Sequence, residues 1–430
     1  MHIKQALTST ARSAAVAVPA YNRHAAPPAI VHFGVGNFVR AHLCAYTDAV
    51  LNQQSTTTTT TSASASSSSS PASSLDEPFW GIHGVGVLDH PAEATAAATM
   101  ADQDCLFGLM TMPSGRARVI GSIVKYDHCP SSKLALASAI TALAAPTTRI
   151  ASLTVTEKGY FQEPATGDLD FARPEVQHDI ALIRGGVEAA LRDNRPCQTA
   201  LGQLVAGLAA RHQAGQQAGG ASPITLLSCD NLPGNGGVLR RLVGQLTQEA
   251  ASGPSSEGDL AALAEWVATP DCVTFPSSMV DRITPATTPA VVSQFEAATG
   301  IADAWPVIAE DFAQWVVEDD FVAGRPNWEA HGVSKEVSGE DGGVLFVPDV
   351  EPFEEMKLRL LNGSHTALSY ISVLAGHERV DGAMADPKVL AFTRRYMDCV
   401  THTVPSVPGV DVEQYKATYG HLYIIYKMVC

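Results

Sequence analysis

No Cys-x-x-Cys pair occurs in this sequence, and no cysteine stands at zinc-ligand spacing from a histidine, although the chain of 430 residues carries eight cysteines. Dispersed in this way, Cys44, Cys105, Cys129, Cys197, Cys229, Cys272, Cys399 and Cys430 read as buried, reduced thiols. Zinc-dependent alcohol dehydrogenase chemistry is disfavoured, so metal-free chemistry is the default and no metal site is expected. There is no run of about eighteen apolar residues, and no membrane span is expected. A basic patch is also missing, and the formal net charge of −16 argues against a nucleic-acid or anionic-membrane partner. Residues 1–28 contain Lys4, Arg12 and Arg23 but no acid, which superficially suits an organellar transit peptide. They lack the apolar core of a secretory signal. The cytoplasm is the expected location, with the mitochondrion as the alternative.

What is present is a chain long enough for two domains, with the 46% hydrophobic and 17% charged composition of a globular protein. Residues 29–49 (AIVHFGVGNFVRAHLCAYTDA) read as a short buried strand, a glycine turn and an apolar helix. That context suits a dinucleotide-binding loop, whose glycines let the backbone approach a pyrophosphate. Gly34, Val35, Gly36, Asn37, Phe38 and Arg40 are the expected cofactor-binding residues here. The signal is weak by itself, because Val39 occupies the third glycine position of GxGxxG. The Ser/Thr stretch 55–74 cannot bury apolar surface and is expected to be a disordered insert in a surface loop. Beyond it, residues 79–89 read as the second strand. Asp89 at its end could accept hydrogen bonds from an adenosine ribose and repel a 2′-phosphate, favouring NAD over NADP. A plain strand-terminal turn aspartate fits the spacing equally well.

Further along, strands and helices alternate. Residues 150–156 form a strand running into Thr156 and Glu157, which join the expected cofactor contacts. Helical periodicity rich in Ala and Leu fills 181–210. Residues 224–228 form another strand, followed by Cys229-Asp230-Asn231 and a helix from Val238. Repeated βα units imply a largely parallel sheet with a ligand crevice at the carboxyl ends of its strands. Asp230 and Asn231 lie at such an end. Asp281-Arg282 sits on a proline-bracketed turn and could be an ordinary ion pair. Strands are also read at 315–323 and 344–347.

Residues 353–374 (FEEMKLRLLNGSHTALSYISVL) combine apolar spacings of three and four with three polar side chains able to handle protons. At about 100° per residue, Lys357, Asn362 and His365 fall within an arc of roughly 140° and could face one cleft. The ordinary alternatives are a solvated lysine and a helix interruption at Asn362-Gly363.

Together, FGVGNFVRAH, TVTEKGY, LSCDNLPGNGG, FPSSMVDRITP, VVEDDF and KLRLLNGSH resemble the polyol-specific long-chain dehydrogenases of the mannitol dehydrogenase type. The resemblance covers roughly residues 17–416. It implies an α/β fold: a Rossmann-type dinucleotide-binding domain with a mainly parallel sheet over 29–349, after the lead-in 1–28. A mostly α-helical C-terminal domain over 350–430 follows. It further implies metal-independent, NAD-dependent interconversion of a polyol and its ketose, D-mannitol and D-fructose being the expected pair, by a cytoplasmic monomer. Lys357 matches the general base, and Asn362 and His365 match the other polar members of its motif. Asn231 matches a residue that holds the reacting oxygen, and Asp281 a substrate-hydroxyl contact. Family members continue through more helices, whereas this chain diverges at Tyr419. The helical domain is therefore expected to be incomplete, with faces such as that of Leu358 to Leu374 left open to water. A catalytically dead chain that still binds the dinucleotide, or a related hexuronate or pentitol enzyme, are the alternatives.

Overall fold

A computed structural model of the chain describes residues 1–8, 16–62, 78–186, 197–253, 258–339 and 342–416. It divides into two compact units: Met1–Trp315 with Asp319–Phe346, and Val316–Glu318 with Val347–Cys430.

The strands are β1 (Ile30–Phe33), β2 (Ile82–Gly86), β3 (Phe107–Met112), β4 (Ala117–Ile120), β5 (Ile123–His128), β6 (Ile150–Leu153), β7 (Ile224–Ser228), β8 (Val273–Thr274), β9 (Ser278–Asp281), β10 (Val307–Glu310), β11 (Gln314–Glu318) and β12 (Gly343–Val347). Six of them form one sheet in the order β5-β2-β1-β6-β7-β8. Every pairing in it is parallel. Strands β1, β6 and β7 are buried along their whole length. That burial explains why they read as short continuous apolar runs rather than as alternating ones. Helices cover the sheet because their apolar rows match it. Leu136, Ile140 and Leu143 from the helix Lys133–Ala144, and Leu239, Leu242 and Leu246 from the helix Asn235–Ala251, share one core with Phe33, Leu153 and Leu226. Each such side chain contributes about 1.5–3 kcal/mol by leaving water. The helix Ala200–Ala218 starts where the Thr199 hydroxyl caps the Gly202 amide and stops at left-handed Gly219.

Strand order reverses between β1 and β6, so the connections leave that point in opposite directions and open a crevice at the carboxyl ends. Two smaller sheets, ordered β10-β3-β4 and β12-β11-β9, go beyond the sequence reading, which finds only the strands at β11 and β12. The antiparallel pair β3–β4 has no sign in it at all. The supposed insert differs as well. The helix Leu43–Ser62 carries on through residues 55–62, with the hydroxyls of Ser55 and Thr56 donating back to the carbonyls of Asn52 and Gln53. The remainder of the insert, from residue 63, lies outside the described residues. The first residues of the lead-in pack against the domain: Ile3 and Ala6 are buried with Leu106, Phe295 and Ile301. Among the cysteines, Cys399 is exposed and Cys272 only partly buried, and Cys430 lies outside the described residues.

The smaller unit is helical, with Glu351–Met356, Lys357–Asn362, Gly363–Leu374, Val380–Ala385 and Pro387–Thr401 in succession. Met356, Leu360 and Leu368 are buried as their spacing predicts. Leu358 and Leu374 are not: they stand 54% and 84% exposed. Among the described residues no helix is long and apolar enough to cross a membrane.

Candidate active site

The glycine turn lies where the sheet order reverses. Gly34 takes φ +89°, a conformation that favours glycine, and a Cβ there would collide with the Thr154 carbonyl. Its amide bonds the Val85 carbonyl at 2.9 Å, tying β1 to the end of β2. Gly36 is the opposite case, since a Cβ there would meet nothing within 4 Å. Open space over that backbone, at the start of the helix Asn37–Ala41, fits a ligand pyrophosphate.

Beneath the turn sits a residue the sequence reading passed over. His32 is fully buried in β1, with Nδ1 at 2.8 Å from Ser152 Oγ and Nε2 at 2.9 Å from Thr154 Oγ1. Thr154 Oγ1 donates in turn to the Gly34 carbonyl at 2.6 Å. The tautomer that satisfies this set carries its proton on Nε2 and accepts from Ser152 on Nδ1. Burial pushes the imidazole down to about 3, so it stays neutral. A histidine in an otherwise apolar strand was the available signal.

Asn37 and Arg40 are engaged with protein groups. Asn37 donates to the Pro285 carbonyl at 2.7 Å and accepts from Arg40 at 2.6 Å. Arg40 is completely buried, lies 3.6 Å over the Trp305 ring and donates to the Trp305 carbonyl. With its head packed against Trp305 and bonded to Asn37, Arg40 braces the residue that follows Gly36. Val35 is buried, and Phe38 stacks on His42 at 4.9 Å. Asp89 is exposed three residues beyond β2, which ends at Gly86 rather than at Asp89 itself.

At the end of β6, Thr156 holds φ +64°, unusual for a β-branched residue. Its amide is held by Asp230, whose carboxylate accepts the Val155 amide at 3.1 Å, the Thr156 amide at 2.8 Å and the Tyr160 hydroxyl at 2.8 Å. Burial pushes the Asp230 carboxyl up. Thr156, Glu157 and Asn231 are exposed beside this buried knot, and Asp281, at the end of β9, is partly buried. The neighbouring Arg282 points inward, donating to the carbonyls of Glu310, Val337 and Ala41.

In the smaller unit, Lys357–Asn362 is a π-helical turn inside a continuous helix. The Gly363 amide reaches back five residues to the Leu358 carbonyl. Such turns concentrate at functional sites. Because Lys357 and Asn362 are themselves five residues apart, the wide turn brings them nearer one line than the roughly 140° arc of a regular helix. Asn362-Gly363 therefore does not interrupt the helix. A Cβ at 363 would lie 2.6 Å from Tyr396 Oη on the helix Pro387–Thr401, so a larger residue there would displace the end of that side chain. Lys357 is only 7% exposed. His365 is half-buried, and burial pushes its imidazole down, favouring the neutral ring. Lys357, Asn362 and His365 thus share one helix, while Asn231, Asp281 and the glycine turn belong to the other unit. Among the described residues no group of His, Cys, Asp and Glu could hold a metal ion.

Sheet order, glycine turn and open backbone define a Rossmann-type dinucleotide-binding protein. The family model for the mannitol dehydrogenase Rossmann domain matches residues 28–330, and that for the mannitol dehydrogenase C-terminal domain matches residues 349–419. The chain belongs to the mannitol dehydrogenase family. Mannitol 2-dehydrogenase of Pyrenophora tritici-repentis is 36% identical over 409 residues, which is 94% of this chain and 61% of that protein. The Aspergillus fumigatus enzyme of the same name is 35% identical over 414 residues, 95% of this chain and 71% of that one. A solved structure of Pseudomonas fluorescens mannitol 2-dehydrogenase in ternary complex with NAD and D-mannitol superposes with a TM-score of 0.75 at 37% identity, covering 97% of this chain and 72% of that chain. A D-sorbitol dehydrogenase in substrate-free form gives 0.79 at 31% identity, with coverages of 100% and 76%.

Proposed function

We propose that this chain is a metal-independent, NAD-dependent polyol dehydrogenase that interconverts D-mannitol and D-fructose. A bound nicotinamide dinucleotide supplies the hydride acceptor. Removing a hydride from a secondary alcohol requires that the hydroxyl proton leave too, and Lys357 in its neutral form takes it. Asn231 and Asn362 donate N–H groups to the oxygen as it gains negative charge, each worth about 3 kcal/mol in a preorganised site. His365, held neutral by burial, and Asp281 bond neighbouring substrate hydroxyls and fix which carbon reacts. Gly34, Val35, Gly36, Asn37, Phe38, Thr156 and Glu157 hold the dinucleotide, with Arg40 buttressing Asn37. Asp89 accepts from the adenosine ribose and sets NAD above NADP. The protein works as a cytoplasmic monomer.

The observation that carries this reading is the buried Lys357 on a π turn within KLRLLNGSH, in a chain whose two segments both match the same family. The test is NADH formation by the purified chain with D-mannitol and NAD⁺. Turnover that is faster with D-sorbitol would make D-sorbitol the substrate, a second reading that the 31% identity to a D-sorbitol dehydrogenase favours. Tight NADH binding without turnover on any polyol would leave a dinucleotide-binding chain and overturn the proposal.

A further inference from the structure

We propose that Asn235 is a positioning residue that sets the orientation of Asn231, an inference that rests on the oxygen-holding role proposed for Asn231. Asn235 opens the helix that follows β7 and is fully buried. Its side chain joins two chain segments. Nδ2 donates to the Asp230 carbonyl at 2.9 Å and to the Ser278 carbonyl at 2.8 Å. Oδ1 accepts the Ser278 amide at 2.9 Å.

The first of these bonds acts on Asn231. The Asp230 carbonyl belongs to the peptide unit that leads into Asn231, and a peptide unit is planar. Holding its oxygen therefore fixes the plane containing the Asn231 nitrogen and Cα. The same carbonyl also accepts the Leu232 amide at 2.8 Å, which closes the bend from the other side. Asn231 is thus an exposed side chain on a backbone gripped immediately before and after it.

The grip is anchored in turn. The Asp230 carboxylate is held by Val155, Thr156 and Tyr160, and Tyr160 Oη lies 2.6 Å from Ser228 Oγ. Ser278 Oγ donates to the Ser228 carbonyl at 2.6 Å, so the start of β9 is tied to the end of β7. Gly236 lets the helix come this close, since a Cβ there would lie 2.6 Å from the Pro276 carbonyl carbon. Through Ser278 the amide of Asn235 also sets the start of the strand that ends at Asp281. One buried side chain therefore registers two groups proposed to meet substrate, and touches none itself.

The test combines turnover with amide hydrogen exchange on the full chain. Asn235→Asp keeps the size and the acceptor but loses both donors, and Asn235→Ala removes the group. Each should lower kcat for polyol oxidation about a hundredfold while the KM for NAD⁺ changes by no more than about twofold. Asn231→Ala combined with Asn235→Ala should be slower than Asn231→Ala alone by far less than the loss from Asn235→Ala itself, the remainder being the share carried through Ser278 to Asp281. Exchange at residues 229–233 should quicken while the rest of the larger unit keeps its protection. Multiplicative losses in the double variant, unchanged exchange at 229–233, or global unfolding of both single variants would each overturn the inference. If the unaltered chain shows no turnover, the proposed function fails by itself, and exchange at 229–233 alone decides whether Asn235 sets that loop.

Discussion

In the larger unit, several buried charged groups are held by dense sets of backbone partners. Arg211 directs all its donors at five carbonyls, those of Leu143, Ala145, Thr148, Ser222 and Pro223, at 2.8–3.0 Å. In the smaller unit, Tyr370, Val373 and Leu374 stand 72%, 64% and 84% exposed on one helix. The first region is a frame in which such groups have fixed partners, so removing one of them should disturb whatever it positions, whether the glycine turn or Asn231. The second carries its chemistry on one helix while apolar side chains face water, so its surface substitutions should be nearly silent and its motif substitutions should alter rate alone.

Four substitutions break or sharpen that contrast, from the largest effect to the smallest. Lys357→Ala removes the proposed base and should reduce kcat for polyol oxidation by about 10²–10⁴. NADH affinity, read by fluorescence titration, should stay within about threefold; full retained activity would remove Lys357 from its role. Gly34→Ala forces an L side chain into φ +89° and against the Thr154 carbonyl. It should cost about 1–3 kcal/mol of stability and weaken NADH binding at least tenfold, checked by denaturant titration and the same fluorescence assay.

His32→Gln gives an effect readable through pH. The folded value near 3 lies below the unfolded value of about 6.5, so the unfolded chain binds the extra proton. The stability that His32 contributes is therefore present above about pH 6.5 and is lost as pH falls towards 3. The gap between the unaltered chain and His32→Gln should shrink by up to about 1.4 kcal/mol per pH unit over that window. A gap independent of pH would mean that the buried imidazole titrates normally. Smallest of all, Leu374→Ser should shift stability by no more than about 0.5 kcal/mol, because it removes an exposed apolar group. A large loss would show that this face is covered in solution.

The parts of the fold that were legible are those governed by short-range rules. Ile30 to Phe33 and Ile224 to Ser228 read as strands because burial on both faces leaves an unbroken apolar run. Gly34 read as a turn because little else takes its backbone angles. The unread parts depend on partners distant in sequence. Thr156, at positive φ, donates its amide to Asp230, seventy-four residues away, and nothing in TVTEKGY announces that bond. The π turn at Lys357 accompanies a glycine held close by Tyr396. The inward packing of Arg40 and Arg282 is equally unannounced, since Arg40 bonds the Trp305 carbonyl and the Asn37 side chain, and Arg282 the carbonyls of Glu310, Val337 and Ala41. Leu374 fits an apolar stripe and still faces water, since periodicity records which face is greasy and not whether anything lies against it.

A helix that closes one of its turns on the fifth residue carries, in effect, one residue more than its axis requires. Removing a residue between Lys357 and Asn362 would let it revert to ordinary winding with the downstream residues keeping nearly the same phase, because four ordinary steps turn about as far as five wide ones. Lys357 and His365 would then both keep their headings, and only the side chains within the turn would be re-aimed. The wide turn within KLRLLNGSH thus lets two residues five apart stand nearly in line, as residues four apart do in an ordinary helix.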